Sequence, residues 1–168
     1  GLDRLKQYWI GSRSKEFNNL PPEMKRITDM ESYEKVKPYL YDKNKVQAAV
    51  ENAKTLKKAH NDGELVVWIT VDGFFWFPRT LLGIEEHLYA FYDNPELMHR
   101  MNQDEVEYIK YVFEQMGEAI QPDFMTFAED MSYNLGPMLS EDMFDEFLLP
   151  YYKQTIPYIE SVGTIPLV

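Results

Sequence analysis

Two adjacent carboxylates, Glu129 and Asp130, stand at the end of the short apolar run Phe124 to Ala128 and directly before Met131-Ser-Tyr-Asn-Leu-Gly-Pro137. A run of that length and character reads as a strand, and the C-terminal ends of parallel strands are where α/β proteins place their chemistry. Neighbouring residues on a strand point to opposite faces, so one of the two carboxylates is expected to face inward. There it would accept hydrogen bonds from a ligand or, if desolvated, act as an acid or base; the plainer alternative is pairing with a lysine or capping the next turn. Asp72 ends a second apolar run, Leu65 to Val71, and has the same positional logic, with an Asx-turn before Gly73 as its alternative. Arg79 could hold a carboxylate or phosphate through two hydrogen bonds, or stack on Trp76 or Phe77.

Between Asp72 and Arg79 lies Phe74-Phe-Trp-Phe77, read as a long aromatic loop. Four aromatics in an open loop suggest the apolar wall of a pocket, with Phe75 and Trp76 against a ligand, or else a plug over the strand ends. Tyr133 and Asn134 are within reach of the same place, unless they only shape the turn before Gly136. His60, His87 and His99 fall in predicted helices on the outside of the sheet, and no pair has the three- or four-residue spacing of a helical metal site, so all three read as structural. The nine methionines read as core filler.

The elements that must position these groups follow from periodicity. Residues 1 to 26 are polar with scattered aromatics and the pair Pro21-Pro22, which suits an irregular or partly helical segment. Thr28 and Glu31 have capping-box spacing and open a short helix that Pro38 ends or bends. Val46, Ala49, Val50, Ala53, Leu56 and His60 mark a helix closed by Asp62-Gly63. The run 65–71 is apolar at nearly every position without alternation, as in a strand buried on both faces of a parallel sheet. Helices are expected over 84–92 and from Pro95 to about Ile120, the second with a stripe of Leu97, Met101, Ile109, Val112, Phe113 and Met116. After the strand 124–128, Ser140 caps a helix bent at Pro150, and the chain ends in a third apolar run, 164–168.

Strand, helices, strand, helix, strand demands parallel pairing with right-handed crossovers. Three strands alone leave exposed edges, so the expected fold is α/β, a partial (β/α)8 barrel with parallel strands at about 65–71, 124–128 and 164–168. The chain is expected to be a single domain over 1–168 and a portion of a larger barrel, with 1–63 a leading irregular and helical segment and 64–168 the β/α units.

The length of 168 residues with 45% hydrophobic content is enough for one packed core. A formal charge of −11 with no basic patch argues against nucleic acid and anionic lipid as partners. With no cysteine there is neither disulfide nor thiolate metal site in this stretch, and no apolar run approaches the roughly 20 residues of a membrane span, so a cytoplasmic setting is expected. The start at Gly1 looks cut or processed.

Phe127-Ala-Glu-Asp-Met-Ser-Tyr-Asn-Leu-Gly-Pro137 followed by Phe144-Asp-Glu-Phe-Leu-Leu-Pro-Tyr-Tyr-Lys153 resembles the uroporphyrinogen decarboxylase family, which also contains corrinoid-linked methyltransferases. Val71-Asp-Gly-Phe-Phe-Trp76 and Tyr92-Asp-Asn-Pro-Glu-Leu-Met98 are similar to its glycine turn and to a helix start in the same family. The resemblance covers most of the chain and implies a barrel-mouth pocket open to a tetrapyrrole in the decarboxylases, or to a methyl-corrinoid partner and a zinc-bound thiol in the methyltransferases. The zinc ligands would lie outside this chain, and so would the aspartate and arginine motif central to the decarboxylases. Two positions depart from the decarboxylase pattern: Leu81 stands nearest to where a loop tyrosine is expected, and Asp130 replaces a serine. A second carboxylate would repel a polycarboxylate substrate by about 1 to 4 kcal/mol at 4 Å, for dielectrics between 80 and 20. The resemblance therefore implies corrinoid-linked methyl transfer or a related reaction, with tetrapyrrole decarboxylation as the alternative in the same barrel. A non-catalytic binding or assembly module, pairing its open strand edges with another copy, is the alternative of a different class.

Overall fold

The computed structural model describes Leu2 to Leu167; Gly1 and Val168, with the expectations that fall on them, lie outside the described residues. Strand β1 (Leu5–Ile10) comes first, followed by the short helices α1 (Lys15–Asn19), α2 (Pro22–Lys25) and α3 (Met30–Val36) and the long α4 (Lys43–Asn61). Then come β2 (Val66–Asp72), α5 (Trp76–Leu82), α6 (Ile84–Asp93), α7 (Pro95–Ala119) and β3 (Phe124–Ala128). A hairpin of β4 (Ser132–Tyr133) and β5 (Gly136–Pro137) leads to α8 (Glu141–Phe147), α9 (Leu149–Ser161) and β6 (Ile165–Leu167).

The main sheet has the order β1-β2-β3-β6 and is parallel throughout. The sequence reading had three of these strands, with bounds that differ by one residue at most ends. Strand β1 lies within the segment 1–26, expected to be irregular or partly helical, and is the correction the structure makes. Leu5-Lys-Gln-Tyr-Trp-Ile10 does alternate, with Tyr8 and Ile10 buried and Gln7 and Trp9 exposed. The adjacent polar residues Lys6 and Gln7 and the exposed Trp9 hide that period. The leading segment 1–63 thus shares the sheet with the rest of the chain.

Local chemistry accounts for the helix ends. Asp29, not Thr28, caps α3, in a reciprocal box with Ser32. Asp42 caps α4 by accepting from the amides of Asn44 and Lys45. Ser140 caps α8 as expected, and the bend read at Pro150 is a break at Leu148 with Pro150 in the first turn of α9.

One face of the sheet is packed against helices. Val67, Ile69 and Val71 of β2 join Val46, Val50 and Ala53 of α4, Val106, Ile109, Val112 and Phe113 of α7, and Tyr151, Tyr152 and Ile159 of α9 in one core. Among the described residues no helix covers the other face. Trp9, Ile165 and Leu167 are exposed there, and Trp68 stacks on Phe124 with ring centroids 5.4 Å apart. A row of short polar side chains crosses the strands: Gln7 donates to Thr70 at 3.0 Å, Thr70 meets Thr126 at 3.0 Å, and the Trp68 indole donates to Thr126 at 2.9 Å. Among the described strand residues of this face, the charge comes at the rim, from Asp72. No described helix is long and apolar enough to cross a membrane.

This division of faces is testable by denaturation. Ile10→Ala, on the helix-covered face, should cost about 2–5 kcal/mol in urea titration, whereas Ile165→Ala, at 63% exposure, should stay within about 0.5 kcal/mol.

Candidate functional site

The C-terminal ends of β1, β2 and β3 form a rim that carries Ser12, Asp72, Glu129 and Asp130, with Arg79 from α5 beside them. Glu129 and Asp130 lie just past the end of β3, where Glu129 turns into the helix layer and Asp130 is exposed. The Glu129 carboxylate accepts from the backbone amide of Trp76 at 2.8 Å, from that of Phe75 at 3.1 and 3.2 Å, and from the Tyr152 hydroxyl. Burial raises its pKa, and these donors pull it back down. Gly73 makes the approach possible, because a Cβ there would overlap the Glu129 carboxyl. Asp130 is exposed and bonded to Arg79, which donates to its carbonyl at 2.8 Å and its carboxylate at 3.0 Å.

Asp72 is buried, with Oδ2 accepting from the Ser12 amide at 2.9 Å. Burial raises its pKa, opposed by that amide and by the positive charges of Arg13 and Lys45. Gly11 leaves room for it, as a Cβ there would lie 3.0 Å from Oδ2.

The expected aromatic loop is a turn at Phe74 and Phe75 that runs at once into α5. Phe74, Phe75 and Phe77 are fully buried and belong to the core rather than to a pocket wall, and Trp76 opens α5 half-buried, with the Arg79 guanidinium 5.6 Å from its ring centre. The apolar run folds inward because the turn at Gly73 starts a helix at once. Tyr133 and Asn134 sit exposed on the β4–β5 hairpin, so the structure separates them from the inward-facing carboxylates. The rim thus gathers Asp72, Glu129, Asp130 and Arg79, with the backbone of Phe75 and Trp76.

Two participants were missed in the sequence. Ser12, fully buried after β1, went unseen with that strand. Glu105 of α7 is fully buried, and its carboxyl oxygens both lie 2.7 Å from the Ser12 hydroxyl. Burial pushes its pKa well above the carboxylate range, and the nearby charges of Asp72 and Glu129 push the same way. The signal was present, since Leu97, Met101, Glu105, Ile109 and Phe113 share one helical stripe at four-residue steps. A carboxylate in the middle of an apolar stripe is either paired or chemically unusual.

The histidines divide. His60 bonds Asp123 at 3.0 Å and His99 bonds the Tyr151 hydroxyl at 2.7 Å. His87 lies in α6, with its side chain turned into the core. It is fully buried against Phe75 and Phe91, with ring centroids 4.7 and 4.9 Å away, and neither ring nitrogen has a hydrogen-bond partner. Burial, with the Arg79 charge, lowers its pKa to about 3. Among the described residues no group of three or more histidine, aspartate or glutamate side chains is placed to hold a metal ion.

No protein family, curated protein sequence or solved structure matches the chain.

Two predictions follow from these contacts. In the folded chain His87 is neutral down to about pH 3, whereas an unfolded histidine takes a proton near 6.5. The unfolded state therefore binds more protons between those values, and stability attributable to His87 falls as pH drops through them, by about 1.4 kcal/mol per unit. His87→Leu should remove that slope and add about 1–3 kcal/mol at neutral pH by deleting two unpartnered nitrogens, read from urea midpoints at a series of pH values. Gly73→Ala should expel the Glu129 carboxyl from its cradle and lower the thermal midpoint by several degrees, and Gly63→Ala, with open space around it but φ +72°, should cost only about 1 kcal/mol.

Proposed function

We propose that the chain is four β/α units of a (β/α)8-barrel enzyme similar to the uroporphyrinogen decarboxylase family, with a tetrapyrrole-type ligand bound at the rim of Asp72, Glu129, Asp130 and Arg79 for corrinoid-linked methyl transfer or a related reaction. The observation that carries this reading is the combination of four parallel strands, one uncovered and uncharged face of aromatics and hydroxyls, and acids crowded at the strand ends. A parallel sheet is ordinarily covered on both faces, and in a barrel the second face turns inward onto side chains from the other strands. The segments that carry the resemblance also fall at positions such a barrel would use: Phe127 to Pro137 spans a strand end and its hairpin, and Phe144 to Lys153 joins two helices packed on the sheet.

At the rim this chain supplies the Arg79 guanidinium on one side and the buried carboxylate of Asp72 on the other. Arg79 is placed to bind an acidic or amide side chain of a macrocycle, if it leaves Asp130. Asp72 is placed to orient the ligand by accepting a hydrogen bond. The zinc implied by the resemblance finds no ligand set among the described residues, and no step is assigned to it here.

One observation also favours the decarboxylase reading. Asp130 stands against a polycarboxylate substrate, but its pairing with Arg79 offsets that charge as long as the pair holds.

The test is spectroscopic. The visible absorption of cobalamin, and separately of a carboxylated porphyrin, should shift on addition of the protein. Asp72→Asn and Arg79→Ala should each weaken the response about tenfold, near 1.4 kcal/mol, while His99→Ala changes it less than about twofold. A cobalamin response supports methyl transfer, a porphyrin response alone supports decarboxylation, and no response to either at saturation removes the tetrapyrrole reading.

A further inference from the structure

Ser12 lies between two buried carboxyl groups. Its amide donates to Asp72 at 2.9 Å, its carbonyl accepts from the Tyr41 amide at 2.6 Å, and its hydroxyl oxygen stands 2.7 Å from both carboxyl oxygens of Glu105. A serine hydroxyl has one hydrogen, which the two oxygens share or one of them takes. An ionised Glu105 would have that single hydrogen as its whole compensation, whereas a protonated acid also donates its own hydrogen back to the Ser12 oxygen. Glu105 has no exposed surface, and no lysine, arginine or histidine among the described residues forms an ion pair with it.

We propose that Glu105 is a protonated carboxylic acid which, through Ser12, fixes Asp72 as the ionised carboxylate of the rim, so that Glu105 is a positioning residue of the site. The inference deepens the proposed ligand site and takes its functional meaning from that reading, while its chemistry stands on the contacts alone.

The surroundings decide which of the two acids ionises. Asp72 of β2 and Glu129 beyond β3 face Glu105 with negative charge, and Asp104 on its own helix adds a third. The phenols of Tyr33, Tyr41 and Tyr108 also feel its charge and supply no cation. Of the cations nearby, Lys37 and Arg100 are taken up by Asp104 at 2.8 and 2.9 Å, while Arg13 and Lys45 act on Asp72, with Lys45 donating to the Gly11 carbonyl at 3.2 Å. Two carboxyls in one desolvated place do not both ionise readily, and the one beside the cations gives up its proton first. The rim thereby holds a carboxylate next to a carboxylic acid, with Ser12 held from three directions between them.

Glu105→Gln keeps the shape and the neutral donor, and it separates a protonated from an ionised Glu105. A folded pKa above the unfolded value, near 4.3, means that the unfolded chain releases a proton the folded chain keeps. Wild-type stability therefore falls as pH rises from about 4.5 to the folded value, and the glutamine variant lacks this fall. The ratio of folding equilibrium constants, Glu105→Gln over wild type, should rise by up to about tenfold per pH unit in urea titrations from pH 5 to 8. A ratio independent of pH overturns the proposal.

Carbon-13 titration of the Asp72 carboxyl gives a second readout. Its midpoint should be unmoved in Glu105→Gln, because the group replaced is already neutral, and should rise in Glu105→Leu, where Ser12 loses its anchor; Ser12→Ala serves if the leucine variant does not fold. A midpoint that drops by about one unit in Glu105→Gln means that Glu105 was charged, and overturns the proposal. Both measurements are made without ligand. Failure of cobalamin and porphyrin to bind would thus remove the proposed function alone, and a flat glutamine profile would remove this inference alone.

Discussion

The carboxylate of Glu129 fastens the parts of the rim together. Helix α5 begins without a side-chain cap of its own, since Phe75 at the capping position has no polar group to offer. Its first amides would be orphaned in a buried place, which costs about 1–3 kcal/mol for each. Glu129 reaches across from the end of β3 to accept from the amides of Phe75 and Trp76, and takes the Tyr152 hydroxyl of α9 as well. One side chain thus joins β3, the β2–α5 turn and α9. Gly73 is required by the same arrangement, because any larger residue occupies the space of the carboxyl. With its oxygens engaged, Glu129 holds the rim in shape, and Asp72 keeps fewer donors than Glu129, the Ser12 amide first among them.

The strands β2 and β3, the long helices and the placing of acids at strand ends were legible because each depends on a local pattern. An unbroken apolar run, a stripe at three- and four-residue steps, and a cap such as Ser140 all declare themselves within a dozen residues. What failed was decided at longer range. Strand β1 is an edge strand whose Lys6, Gln7 and Trp9 dilute its alternation, and only its pairing with β2 makes it a strand. The run Phe74 to Phe77 looked like a surface loop because nothing nearby caps a helix there; the cap arrives from Glu129, more than fifty residues later.

The candidate site divides in the same way. Glu129, Asp130, Asp72 and Arg79 are found by their place relative to a strand end. The pairing of Arg79 with Asp130, and of Asp72 with Ser12, links residues about fifty and sixty apart and carries no sequence period. Glu105 draws no reading from the sequence, although its place in an apolar stripe held the warning. His87 reads as structural, and α6 turns it onto Phe75 and Phe91, where an imidazole is tolerated only as a neutral ring.

These two groups also bear on what the fold spends its stability on. Glu105 and His87 are both held in their neutral forms by burial, so each weakens the folded state on the side of the pH scale where the unfolded chain can ionise it. A leucine at either position would give a simpler core. His87 has no partner that explains it, and the structure offers no reason for its presence. Glu105 differs, because its two oxygens meet Ser12, and Ser12 holds Asp72 at the end of a sheet whose other face carries no charge below the rim. A neutral acid there can be tolerated for the same reason that an ionised one would be costly: the desolvation that keeps the proton on Glu105 also strengthens every dipole aimed at Asp72. The stability lost at Glu105 is therefore tied to the charge and position of a rim carboxylate, and the loss at His87 is not.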